Sequence, residues 1–300
     1  MLYGSSKSFI EWLALLPPKH RSRLGASLAD RLVNAIGFTG PIETNLGISP
    51  DLRVNYPEPR HRSSVFGTPA DYLGERGALY LTQALLPHCD TFVDVGANMG
   101  YFTFFAKSQA PEKPVHFFEP NPKLFSFIQE TNQRNRFKNV TGHRVAVGAT
   151  SEATRFYLDT QDPGRSSLDN RIGFPDGCEA IDVAMTRFDD FAASLPAKRL
   201  LVKVDVENTE LDFLKGAENA WDKMAYLIIE VLLPAHKQGF IRKARAASGM
   251  HAYYIKDFTL EHSPMGEFRF QPPENNWLLA RENPAALRQR LRGSRFTVSG

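Results

Sequence analysis

One glycine-rich turn and two groups of acids carry the candidate chemistry of this sequence. Asp94-Val-Gly-Ala-Asn-Met-Gly100 follows a short apolar run, Thr91–Val95, and Glu119 closes the next apolar run, Val115-His-Phe-Phe118. Gly96 and Gly100 frame a turn that lets a ligand approach the backbone closely. Asn98 tolerates unusual backbone angles and bonds locally. Asp94 stands at a strand end, where its carboxylate either organises the loop or meets a cationic ligand. Glu119, at the end of the following strand, stands where an acid bonds the two hydroxyls of a ribose. The pair predicts a nucleoside ligand at the strand ends.

The choice of nucleoside rests on what the loop lacks. A dinucleotide fingerprint needs G-x-G-x-x-G, whose glycines seat a pyrophosphate on the following helix. Here the pattern is D-x-G-x-N-x-G. An acidic loop suits an amino-acid-bearing cation better than a diphosphate. S-adenosylmethionine, with its ribose, ammonium and sulfonium, fits that description.

The second chemical segment is Leu200-Leu-Val-Lys-Val-Asp-Val-Glu207. Side chains alternate along a strand, so Val202, Val204 and Val206 face one way and Lys203, Asp205 and Glu207 the other. A strand inside a parallel sheet is expected to be apolar on both faces, and buried charges are costly unless paired. A salt-bridged edge strand is the bland explanation. The functional one is that the charges crowd the carboxyl end of the sheet, where such folds bind ligands. Asp205, Glu207, Glu230 and His236 are then the candidate general bases. Asp205 is expected nearest the reacting centre, Glu207 and Glu230 to grip acceptor hydroxyls, and Lys203 to compensate their charge or bind the acceptor. His236 titrates in a range suited to base chemistry, although a lone histidine is more often structural. Asp205, Glu207 and Glu230 are also oxygen ligands that Mg²⁺ accepts, although their spacing requires no metal.

The elements that must position these residues alternate strand and helix. Helices are expected over Ala78–Leu86, Tyr101–Gln109, Lys123–Arg134 and Glu210–Trp221. Strands are expected over 91–95, 115–118, 140–147, 200–206 and 226–231, the pattern of a parallel sheet covered by helices. Thr154–Leu158 and Ala180–Met185 read as a hairpin around a polar loop, Asp162–Gly177, which with Arg165, Ser166, Ser167 and Arg171 either covers an acceptor site or is an ordinary surface loop. Two late strands, 253–260 and 277–280, finish the sheet as an antiparallel pair. Residues 1–70 read as a helical extension and connector. Phe9, Trp12, Leu13 and Leu16 recur at helical spacing, and a second helix over 24–36 carries Arg21, Arg23 and Arg31 nearby. These helices either pack on the main domain or rest on a membrane surface. Residues 71–283 form the main domain, and 284–300 a basic tail, surface-bound or mobile.

Bulk composition narrows the class. The 300 residues are 42% hydrophobic and 23% charged, with a formal charge of +3, ordinary values for a globular chain able to bury a core. The charge is too small and scattered to argue for nucleic acid. Two cysteines, Cys89 and Cys178, make no disulfide framework and read as reduced thiols of a cytoplasmic protein. No apolar run reaches the length of a membrane span, and the N-terminal stretch lacks a signal-peptide pattern.

Five segments together resemble the FkbM family of S-adenosylmethionine-dependent methyltransferases: Asp94–Thr103, Phe118-Glu-Pro-Asn-Pro122, Val202–Glu207 with Glu210, Leu214-Lys-Gly-Ala217 and Ile229-Glu-Val231. The resemblance covers residues 72–282. It implies a class I methyltransferase fold, an α/β Rossmann-like sheet of seven mostly parallel strands with helices on both faces. It implies Asp94, Gly96, Ala97, Asn98, Gly100, Tyr101, Glu119, Asn121 and Asp205 as cofactor-binding positions. It also implies methyl transfer to oxygen, often a sugar hydroxyl of a glycan, glycolipid or natural product. Transfer to nitrogen or carbon, or a cofactor-binding partner module without turnover, are the alternatives. The sequence departs from the family at Glu207-Asn-Thr-Glu210, where Glu-Gly-Ala-Glu is usual. Asn208 tolerates the left-handed conformation a glycine would supply, and Thr209 suits a helix N-cap.

Overall fold

The computed structural model describes residues 2–16, 41–56, 75–159, 166–169, 178–267 and 275–300, with the single positions 20, 31, 33, 35 and 66. Of the expected helix over 24–36 only positions 31, 33 and 35 are described, and of the connector over 39–70 only 41–56 and 66; most of the 162–177 loop, Arg165 and Arg171 included, lies outside the described residues. The chain divides into two compact units, one taking in residues up to Arg76 with Glu130–Phe137, the other Gly77–Gln129 with Lys138–Gly300.

The smaller unit holds helix α1 (Leu2–Ala14) and an antiparallel pair, β1 (Ile42–Thr44) and β2 (Val54–Tyr56). Thr44 and Asn45 tie the end of α1 to β1: the Thr44 hydroxyl donates to the Ala14 carbonyl at 3.0 Å, and Asn45 Nδ2 to Leu15 O at 3.0 Å. Side-chain donors thereby satisfy carbonyls that a helix end leaves open.

The larger unit is built on a nine-stranded sheet. Its parallel half comprises β3 (Thr91–Val95), β4 (Val115–Phe118), β5 (Val140–His143), β9 (Leu200–Val204) and β10 (Met224–Glu230), in the spatial order β10-β9-β3-β4-β5. Beyond β10 lie β13 (Asn276–Ala280), β11 (His251–Lys256), β12 (Thr259–His262) and β14 (Thr297–Ser299). Strands β3, β9 and β13 are buried along their whole length, as a sheet covered on both faces requires. Helices α2 (Arg76–Leu85), α3 (Tyr101–Gln109), α4 (Pro122–Arg134), α5 (Phe188–Ser194), α6 (Glu210–Gly216), α7 (Leu233–Lys237), α8 (Phe240–Ser248) and α9 (Pro284–Arg290) accompany it. Phe188, Phe213, Trp221, Phe240 and Trp277 belong to one continuous apolar core with Val93, Val202 and Leu227. Burying side chains of that size supplies the main drive to fold.

Three features differ from the expectations of the sequence. First, the sheet has nine strands, not seven. The expected strand 253–260 breaks at Asp257, whose φ is +49°, and turns back as the hairpin β11–β12. Second, residues 284–300 are not a mobile tail: Asn283 caps α9 by accepting from the Ala286 amide at 3.0 Å, and β14 pairs in parallel with β12. Third, the run 140–147 serves two sheets. β5 stays in the main one, while β6 (Ala146–Val147) pairs with β8 (Cys178–Thr186), which forms the expected hairpin with β7 (Ala153–Asp159). Among the described residues no helix is long and apolar enough to cross a membrane.

The topology fixes where a ligand can bind. From β3 the chain runs outward through β4 and β5, then returns to place β9 on the other side of β3. Such a reversal opens a crevice at the carboxyl ends of the adjoining strands, here those of β3 and β9.

Candidate functional site

The glycine-rich turn leaves β3 with three left-handed residues, Gly96 (φ +78°), Asn98 (φ +52°) and Gly100 (φ +76°). A Cβ on Gly96 would sit 1.8 Å from the Asp205 carbonyl oxygen, so only glycine lets the turn touch the end of β9. The Asp205 amide also donates to Val95 O at 2.9 Å. The turn's own amides are committed within the protein. Gly96 and Ala97 N–H both donate to Phe118 O (3.1 and 2.9 Å), and Gly100 N–H to Ala97 O (2.7 Å). Asn98 N–H donates to Glu119 Oε2 at 2.7 Å. These four amides therefore form no phosphate cradle, in keeping with the missing dinucleotide fingerprint.

Asp94 takes the first of its two expected roles. It is buried and accepts from the Thr103 hydroxyl on α3 at 2.7 Å, anchoring the turn from beneath. Burial pushes its carboxyl up to about 6, against the pull of the Thr103 hydroxyl and the Lys203 ammonium. Glu119 is also buried, with both oxygens held: Oε2 by Asn98 N–H and Oε1 by Asn121 N–H at 2.8 Å. Burial pushes this carboxyl up to about 8, although both amides favour its charged form. Each oxygen keeps a second lone pair for a hydroxyl donor.

The charged segment does not alternate to its end. β9 stops at Val204, and the chain turns through Glu207 (φ +42°) and Asn208 (φ +70°) before α6. Asn208 thus adopts the left-handed conformation expected of it. Thr209 is the N-cap residue of α6, but its hydroxyl donates back to Val206 O at 2.7 Å instead of accepting a helix amide. Lys203 is buried, its Nζ 3.9 Å from Asp205 Oδ2 and 5.1 Å from the centre of the Phe102 ring. Its ammonium compensates Asp205 from below. Carboxylate oxygens of Asp205 and Glu230 lie within 4.8 Å of each other. Glu207 does not join them: among the described residues these three acids do not converge on one point, so the geometry of a magnesium site built from them is missing.

His236 takes the structural one of its two readings. It is buried, and its Nε2 accepts from the Trp277 indole at 3.1 Å. Burial holds its imidazole down at about 4. A ring that anchors a core tryptophan is not positioned as a base.

These elements line an open cleft at the carboxyl edge of the sheet. Its floor comprises Gly96, Asn98, Glu119, Asp205 and Glu207. Of the other expected positions, Asp94, Ala97, Gly100, Tyr101, Asn121, Lys203, Glu230 and His236 do not line it; Asp94, Gly100 and Asn121 act through the shape of the floor. Val145, Val147, Phe156 and Leu168 form an apolar wall that sequence reasoning missed. The only sequence sign of it was the hairpin beside the polar loop. Ser167 holds this wall in place: its amide and carbonyl pair with Tyr157 (3.0 and 2.9 Å), and its hydroxyl donates to the Glu207 carbonyl.

Residues 94–260 match the methyltransferase FkbM domain. The chain belongs to the FkbM methyltransferase family. Among its relatives is the 31-O-demethyl-FK506 methyltransferase FkbM of Streptomyces tacrolimicus, 29% identical over 47% of this chain and 65% of that protein. The hexuronic acid methyltransferase AglP of Haloferax volcanii is 28% identical over 54% of this chain and 64% of that protein. Among solved structures, the SAM-dependent methyltransferase of Agrobacterium tumefaciens is similar over 82% of this chain and 71% of that one, at 5% identity and a TM-score of 0.43. This FkbM protein is an S-adenosylmethionine-dependent methyltransferase. The cleft fits that cofactor chemically: a buried acid with open lone pairs for ribose hydroxyls, an apolar wall for a planar base, and acids for the cationic end.

The Gly96 contact makes a stability prediction. Gly249 also has a positive φ, +67°, but nothing lies within 4 Å of its added Cβ. Gly249→Ala should cost only the left-handed penalty of about 1–2 kcal/mol. Gly96→Ala should cost more than about 3 kcal/mol, because backbone must move as well. Urea unfolding of both variants decides; equal losses would mean that the Gly96–Asp205 contact is dispensable.

Proposed function

We propose that this FkbM protein transfers the methyl group to a hydroxyl of a sugar-containing acceptor, with Asp205 as general base. One observation carries the reading: Asp205 lines the donor cleft and also lies beside Glu230, within 4.8 Å, and Lys203, at 3.9 Å. Donor site and acid pair meet at that residue. S-adenosylmethionine, when bound, supplies an electrophilic methyl carbon on a positively charged sulfur. Glu119 accepts the two ribose hydroxyls through the lone pairs that the Asn98 and Asn121 amides leave open. Asp205 takes the acceptor hydroxyl's proton as the new carbon–oxygen bond forms and the carbon–sulfur electron pair returns to sulfur. A base within hydrogen-bond reach contributes about 10²–10⁴-fold to such a step. Glu230 accepts a neighbouring acceptor hydroxyl, and the Lys203 ammonium balances the acid pair throughout. Glu207, on the cleft floor, takes a further hydroxyl of the acceptor.

The acid pair bears on which end of a sugar receives the methyl group. A hexuronate would bring a third carboxylate to Asp205 and Glu230, and like charges at that range repel. A neutral hydroxyl both avoids the repulsion and needs the base. A panel of neutral glycosides and the matching hexuronates, assayed with labelled donor, should give transfer to the neutral members. Transfer confined to the carboxyl group of the hexuronates, which needs no base, would remove Asp205 from that role.

Two further outcomes test the assignment. Asp205→Asn should lower kcat on the accepted glycoside at least about 100-fold and change donor Kd, measured by calorimetry, by only a few-fold. Unchanged turnover would place the base elsewhere. Donor affinity should also depend on pH through Glu119. Ribose hydroxyls donate to the charged carboxylate, so binding releases a proton wherever the free carboxyl, titrating at about 8, is still protonated. Affinity should rise with pH, by up to about tenfold per unit, and level off above about 8. In Glu119→Gln the slope should vanish and the affinity fall. A flat wild-type profile between about pH 6 and 8 would remove Glu119 from the ribose.

A further inference from the structure

The sheet does not by itself fix the distance between Asp205 and Glu230. The β9–β10 ladder ends at Val204↔Ile229, one residue short of each acid. Glu230 pairs on its other side with Asn276 of β13, and Asp205 is bonded towards β3 through Val95. Each acid is thus anchored to a different neighbour, and the gap between them is left to whatever joins the two chain ends beyond the ladder.

Glu210 makes that join. It is the first residue of α6, five positions after Asp205, and only 1% exposed. Its Oε1 accepts the Leu232 amide at 2.9 Å, two positions after Glu230. The amides of Asn208 and Glu210 itself favour the charged form of the same carboxylate, and the residue opens α6 directly after the left-handed turn that follows Asp205. The side chain does not line the donor cleft. We propose that Glu210 is a positioning residue: by clamping the turn after β9 to the end of β10, it sets the separation of Asp205 and Glu230. The consequence for catalysis rests on the general-base reading above; the geometric claim does not. A misplacement of about 1 Å at such a site costs on the order of 100-fold in rate.

The test compares crystal structures of three variants with the wild type. Glu210→Ala removes the acceptor, and Leu232→Pro removes the donor amide together with the leucine side chain, at a φ of −75° that the proline ring allows, and sets its ring carbon where the amide hydrogen faced Glu210. Both should widen the Asp205–Glu230 gap by about 1 Å or more, the displacement that matters for rate. Glu210→Gln keeps a carbonyl acceptor for Leu232 and should leave the pair within 4.8 Å. A gap unchanged in both Glu210→Ala and Leu232→Pro overturns the proposal, and so does one that opens as far in Glu210→Gln as in Glu210→Ala. If Glu210→Ala fails to fold, Leu232→Pro decides alone. Calorimetry with S-adenosylmethionine runs alongside, and Leu232→Pro should bind it within about two-fold of the wild type, a change below about 0.5 kcal/mol. A wild type that binds no donor would sink the functional reading and leave the measured gap to judge Glu210.

Discussion

The site depends on one steric fact: residue 96 has no Cβ. The turn after β3 rests on the Asp205 carbonyl so closely that an alanine methyl would overlap it. That contact has two consequences. The glycine turn and the end of β9, which carries Asp205, become one rigid junction on the floor of the cleft. The turn's amides are also drawn toward Phe118 and Glu119, so that the ends of β4, β3 and β9 share a hydrogen-bonded floor. A pocket built this way is largely formed before any ligand arrives, which is how binding and orientation costs are reduced.

That floor is bought with stability. Asp94, Glu119 and Glu210 are buried carboxyls whose titration is pushed upward by desolvation. Below the ordinary carboxylate range such groups are neutral in both the folded and the unfolded chain. As pH rises from about 4.5 to about 8 the unfolded chain ionises Glu119 while the folded one resists, so the folded state loses stability across that window and does not regain it. The structure meets the cost with donors aimed at each group: Thr103 for Asp94, two amides for Glu119, Leu232 for Glu210. Lys203 sits among Asp94 and Asp205 as the buried counter-charge. A fold selected for stability alone would replace such a network with apolar side chains. Its presence at the carboxyl edge of the sheet is what a binding site, and not a core, requires.

The parts of this arrangement that were legible in the sequence are those with short-range causes. Thr91–Val95, Val115–Phe118 and Leu200–Val204 are apolar runs bounded by turn residues, and Tyr101–Gln109 forms the helix expected of it. The Gly96–Gly100 turn and Glu119 were readable because backbone conformation and strand-end position are local properties. The misreadings have long-range causes. Alternation placed Glu207 in register with Asp205, but the strand ends at Val204 and the left-handed turn at Glu207 and Asn208 redirects the chain. His236 has a composition suited to base chemistry, and only the packing of α7 against β13 reveals Trp277 as its partner. Residues 284–300 look like a tail because β14 is three residues long and gains its partner, β12, only in the folded sheet.

The apolar wall of the cleft was the least legible part, for a reason that bears on specificity. It comes from residues 145–147, from Phe156 and from 166–168, which belong to the small sheet beside the main one or to its loop. No sequence pattern links these stretches to the glycine turn; the link is the Ser167 hydroxyl on the Glu207 carbonyl. That hydrogen bond joins the hairpin side of the cleft to the floor, where Gly96 cannot gain a Cβ without colliding with Asp205. Changes in β7 and β8 can reshape the wall while the junction at Gly96 keeps its geometry.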